Sequence, residues 1–150
     1  MDLEQRHNRQ APFWAAGLVL LGTLGLATVW LDFGTFWKGY VLDICGPAWN
    51  YILFRGRFTA WTDNRWTRFF RPSRTFTLFA SFLVAVEVAQ FLELYDATYD
   101  PWDFLAYFSL LLPLFLLDRF QSGFPEGWRN QLPRGMMLFV PAGVDLARFH

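Results

Sequence analysis

Apolar side chains gather into four long runs along the chain, separated by stretches that hold most of the charge. The first, 13–31 (FWAAGLVLLGTLGLATVWL), has no charged residue and is long enough as a helix to cross the hydrocarbon core of a bilayer. The second, 36–54 (FWKGYVLDICGPAWNYILF), is interrupted by Asp43, Gly46, Pro47 and Asn50. A helix in lipid tolerates such a proline when neighbours satisfy the freed carbonyl. The third, 76–94, follows Pro72, Ser73 and Thr75, which suit a helix start. The fourth, 102–117, opens behind Pro101, a residue favoured in a first helical turn. The apolar stretch 136–144 is too short to span and holds Pro141 and Gly143, which predicts an interfacial segment in a tail, 121–150. The pattern predicts one all-α membrane domain over 1–150, a bundle of four transmembrane helices. The apolar part of the first run is too long for a signal peptide, and no small-x-small site follows it closely, which predicts a retained helix.

Composition agrees with lipid as the solvent. Hydrophobic residues make up 54% and charged residues 17%, and aromatics reach 21%. One small water-soluble core cannot bury that much apolar surface. Net charge is zero and points to no partner, but its distribution orients the chain. Of 13 Lys and Arg, all but Lys38 fall in the N-terminal tail, in 55–74 or beyond 118. Four spans put those three segments on one side, and the positive-inside rule makes that side cytoplasmic, with both termini in. Three or five spans would break the partition. The expected location is a bacterial plasma membrane, with membrane lipids as partners.

That orientation collects acids in the outer half of the bundle. Glu87 and Gln90 share one helix face, as do Asp100 and Asp103, with Tyr107 a turn further on. Asp43, Gly46, Pro47 and Asn50 form another polar and small-residue stripe. Exposing a carboxylate to lipid is costly, so these stripes should turn inward and converge. The expected binding pocket is Asp43, Asn50, Glu87, Gln90, Asp100, Asp103 and Tyr107, with Lys38 partnering a carboxylate, Asp43 being nearest in sequence. A structural network held by polar contacts between helices, with Asp100 capping the fourth helix, is the alternative.

The order E-x-x-Q (Glu87, Gln90), a short acidic connection, then D-x-x-D-x-x-x-Y (Asp100, Asp103, Tyr107) resembles the VanZ-like group of small membrane proteins. The stretch FWKGYVLDICGPAWNYILFR, with Lys38, Tyr40 and Asp43, is similar to that group's second helix. The resemblance covers roughly residues 13–120. It implies a cell-envelope membrane protein, with a namesake associated with lowered susceptibility to a glycopeptide antibiotic. It implies no established reaction.

Residues 55–74 mix six arginines with Trp61, Trp66 and three phenylalanines. Beside a membrane this pattern predicts a segment on anionic headgroups, through Arg57, Arg65, Arg68, Arg71, Trp61 and Trp66. No recognition module accompanies it, so nucleic acid is not an expected partner. Gly17, Gly22 and Gly25 give a flat surface for close helix approach, within the chain or with another subunit. Abundant aromatics with few charges also fit an accessory subunit of a larger membrane complex. Glu87 and Asp103 would be acid and base in a third reading, an enzyme acting on a lipid-linked substrate. Cys45, the single cysteine, sits in an apolar stretch as a buried thiol. His7 and His150 form no ligand pair by spacing, and no metal or cofactor is expected.

Overall fold

The computed structural model describes residues 3–94 and 100–122, which are helical over 82% of their length and contain no strand. Five helices follow in order: α1 Leu3–Trp30, α2 Thr35–Arg55, the short α3 Arg65–Phe69, α4 Pro72–Phe91 and α5 Trp102–Gln121. The four long helices coincide with the four apolar runs. The interfacial segment expected at 136–144, the tail beyond Ser122 and the acidic turn 95–99 lie outside the described residues.

Local chemistry sets the helix ends. Pro72 opens α4 from its first turn, where its missing N–H costs nothing. Gly56 ends α2 in the left-handed conformation, φ 62°, and donates its N–H back to the Ile52 and Leu53 carbonyls. A capping box starts α3: Asn64 accepts from the Thr67 N–H, and the Thr67 hydroxyl accepts from the Asn64 N–H. The Asp100 carboxylate accepts the Trp102 N–H at 3.0 Å as α5 begins. Two helices outrun their apolar cores. The polar first turns of α1 are fixed by contacts to the connection after α2, and α5 continues to Gln121 because Asp118 and Gln121 are bound there.

α2 is the central helix, packed against α1, α4 and α5, while α4 also packs on α5. One core cluster joins Trp14 and Leu21 of α1 to Cys45, Ala48 and Ile52 of α2. A second joins Tyr51 of α2 and Leu83 of α4 to Tyr107 and Leu111 of α5. The small-residue surface of α1 is taken up by α2. A Cβ at Gly17 would meet Ile52 at 3.6 Å, one at Gly25 would meet Cys45 at 3.6 Å, and one at Gly22 would stand 2.8 Å from the Trp49 indole nitrogen. The glycine face expected as a possible subunit contact is therefore used inside the chain.

The outward faces are apolar. Phe13, Leu26 and Val29 of α1, Phe82 and Phe91 of α4, and Leu105, Leu116 and Phe120 of α5 are exposed. α1 and α4 are long and apolar enough to cross a membrane, and only 17% of each apolar window is buried within the protein. The core helix of a water-soluble protein would be mostly covered. α2 and α5 have similar lengths, 21 and 20 residues, but carry Asp43, Asn50 and Arg55, and Asp103, Asp118 and Arg119.

Candidate functional site

α2, α4 and α5 bring acidic residues together near the end of the bundle where α4 finishes and α5 begins. Glu87 is 1% exposed, and its Oε1 accepts the Tyr107 hydroxyl at 2.8 Å. Its Oε2 is buried without a hydrogen-bond partner, as is Oε1 of Gln90 one turn along. Asp43 and Asp103 lie within electrostatic reach of Glu87 and of each other, and Asp100 within reach of Asp103. The Tyr40 hydroxyl donates to Asp100 Oδ2 at 2.8 Å, tying α2 to the start of α5. Pro47 cannot donate to the Asp43 carbonyl, so the α2 ladder is already broken beside this cluster. A Cβ added at Gly46 would meet nothing within 4 Å, so the stripe from Asp43 borders open space.

Two expected members fall elsewhere. Lys38, in the first turn of α2, pairs at 2.7 Å with Asp32 of the α1–α2 connection and not with Asp43, because Asp32 is exposed beside it whereas Asp43 is half-buried. The hydrogen bond from Lys38 holds the Asp32 carboxyl below its ordinary value. Asn50 turns its amide back onto its own helix, donating to the Gly46 carbonyl at 2.9 Å. Among the described residues, Asp43, Glu87 and Asp103 have no basic partner. No group of three or more described His, Cys, Asp or Glu side chains has metal-holding geometry.

The opposite end holds a network that the sequence pattern does not reveal. Asp118 is 0% exposed and forms an ion pair with Arg55 through two hydrogen bonds. Tyr51 donates to the same carboxylate at 2.7 Å and Ser122 at 3.0 Å. Arg57 stands 3.5 Å from Asp118 and donates to Gln10 at 2.6 Å and Gln121 at 3.3 Å. Arg57 was expected on the headgroups; instead it is 5% exposed, drawn inward by Asp118 and the amides of α1 and α5. Burial pulls its guanidinium below the ordinary value, Asp118 opposes that, and Arg55 adds to the fall. The Arg57 guanidinium also meets His7 Nδ1 at 3.3 Å, while His7 Nε2 donates to the Thr59 carbonyl at 2.9 Å.

Arg65, Arg68, Arg71, Trp61 and Trp66 remain exposed at this end. Arg68 pairs with Asp63 at 2.9 Å, and Trp66 stacks on Phe54 while donating to its carbonyl at 3.0 Å. Arg55 and Asp118 were visible only as residues just past two apolar runs. Acid and base at matching ends of neighbouring spans are the signal that could have paired them.

Comparison with protein-family models, with curated proteins and with solved structures gives no match, so the resemblance to the VanZ-like group rests on the quoted residues alone.

Proposed function

We propose that the chain is a four-span integral protein of a bacterial plasma membrane, VanZ-like, with its arginine-rich end cytoplasmic. In this reading its outer carboxylate cluster receives a cationic group of a lipid or envelope component, without enzymatic chemistry. One observation carries it: Glu87 is buried with an unpartnered oxygen, within reach of Asp43 and Asp103, and none of the three has a basic partner among the described residues. Like charges grouped in a medium of low dielectric need protons or a cation to balance them. The donor set lacks metal-holding geometry, which favours an ammonium group. Such a group would enter by Asp43, Asp100 and Asp103, all only partly buried, with Glu87 deeper.

The test is lipid retention by the protein in nanodiscs holding equal phosphatidylethanolamine and phosphatidylglycerol, followed by native mass spectrometry. The expected result is selective retention of the ammonium-bearing lipid, lost in the double variant Asp43→Asn/Asp103→Asn with the helical spectrum unchanged. Equal retention of both lipids by the unmodified protein would sink the proposal. A stoichiometric protein partner seated on the cluster would replace it with the accessory-subunit reading.

A further inference from the structure

We propose that the cavity at the arginine-rich end binds a phosphomonoester, carried either by a lipid headgroup or by a small soluble molecule. The cavity, open on one side, has a volume of about 580 Å³ between the first turns of α1, the α2–α4 connection and the last turn of α5. That volume is in the usual range for small-molecule sites and exceeds a bare phosphate, leaving room for part of the group it is attached to.

Positive charge dominates the lining. Seven arginines line the cavity. Arg55 and Arg57 are offset by Asp118, and Arg68 by Asp63. Arg6, Arg71, Arg74 and Arg119 have no acidic partner among the described residues; Arg119 donates only to the Ser73 hydroxyl. Against two aspartates, seven guanidinium groups leave five positive charges facing one space. Such a concentration is self-repulsive unless an anion fills it.

Two further features narrow the anion. The first turn of α4, Pro72 to Arg74, lies on the cavity wall. N–H groups of a first turn have no intrahelical partner, and the helix dipole favours negative charge there. Arg57, 5% exposed, lines the same space; its Nε faces Asp118 at 3.5 Å and makes no hydrogen bond there. Guanidinium forks match phosphate oxygens in pairs, and a monoester carries more charge and one more terminal oxygen than a diester. A diffuse headgroup belt would need only exposed arginines; buried Arg55 and Arg57 at the base distinguish a cavity from a surface.

Two probes separate the sources. Glycerol 3-phosphate added to the protein in lipid-free detergent tests the soluble source by thermal shift. Nanodiscs with equal phosphatidic acid and phosphatidylglycerol test the lipid source by native mass spectrometry. Binding in either arm supports the proposal, provided that Arg74→Gln and Arg119→Gln each weaken it roughly tenfold or more, the loss expected for one charge-assisted contact. Arg9→Gln, exposed and outside the cavity lining, should leave it unchanged. Arg74 is exposed and has no ion-pair partner among the described residues, so its variant should keep the fold, and Arg71→Gln serves as a second check. The proposal is overturned by no response in either arm, by equal retention of the two lipids without glycerol 3-phosphate binding, or by an equal effect of Arg9→Gln. The variants leave the outer carboxylates untouched, so neither result bears on the ammonium site.

Discussion

Asp118 is the residue whose loss should cost most. It is fully buried and balances Arg55 and Arg57, so removing it strands two buried cations. Breaking a buried ion pair from one side costs about 3–5 kcal/mol. Asp118→Ala should therefore lower the melting temperature sharply, whereas Tyr51→Phe, which deletes one hydrogen bond to the same carboxylate, should cost about 1 kcal/mol. Similar losses in the two variants would show that the carboxylate is not the hub. His7 makes this end pH-sensitive. It lies before the apolar run of α1, between Thr59 and Arg57, with Arg55 and Asp118 also within electrostatic reach. Arginine can only donate, so Nδ1 must be unprotonated. Burial pushes the imidazole below its ordinary 6.5, opposed by the Thr59 bond and reinforced by Arg57. The unfolded chain then takes up a proton that the folded one refuses, and stability falls as pH drops below about 6.5. Thermal melts from pH 7.5 to 5.5 should show a steeper loss for the unmodified protein than for His7→Gln; parallel curves would refute this. Glu87 and Tyr107, both buried, were legible as inward residues because each lies on a polar stripe of an otherwise apolar run, where a carboxylate is rarely left facing outward. The burial of Arg57 is not legible, because an arginine beside aromatics has the same sequence signature whether it rests on headgroups or folds back onto a buried aspartate.

The long helices were legible as elements because their apolar runs are far longer than strands, and helices are the elements of that length. Their ends were less so. α3 is only 5 residues long and depends on the Asn64–Thr67 capping box, so no apolar periodicity marks it. The early start of α1 depends on contacts made far along the chain, such as Asn8 accepting the Trp61 N–H at 2.8 Å. Packing between elements gives a sharp test at the glycines. A side chain at position 22 collides with the Trp49 ring, which is anchored between α1 and α2, whereas position 46 faces open space. Overpacking of this kind costs about 1–3 kcal/mol. Gly22→Val should destabilise the α1–α2 pair by that order, and Gly46→Ala should be neutral or slightly stabilising through helix propensity. Equal melting temperatures for the two variants would mean that α1 does not approach α2 through this face.

At the scale of the whole molecule the question is how many helices cross the bilayer. By length and apolarity alone α1 and α4 qualify. If only those two crossed, α2 and α5 would lie on opposite sides of the membrane and could not touch. Yet they pack side by side, with Tyr51 and Arg55 of α2 on Asp118 of α5. That contact supports four spans, because it requires α2 and α5 to share one depth. In the proposed four-span arrangement, the positive-inside rule would put the α1–α2 connection outside and the α2–α4 connection inside. Single cysteines at Phe33 and Thr62, both exposed, in a Cys45→Ala background test this with an impermeant thiol reagent. Four spans with a cytoplasmic N-terminus predict labelling at position 33 in intact cells and at position 62 only after the membrane is opened. Labelling of both in intact cells would mean that α2 lies outside, and the two-span arrangement would hold. Labelling of position 62 alone would invert the bundle, turning the arginine cavity outward and the carboxylates toward the cytoplasm. Only the first outcome leaves the cluster of Asp43, Glu87 and Asp103 where an envelope component can reach it.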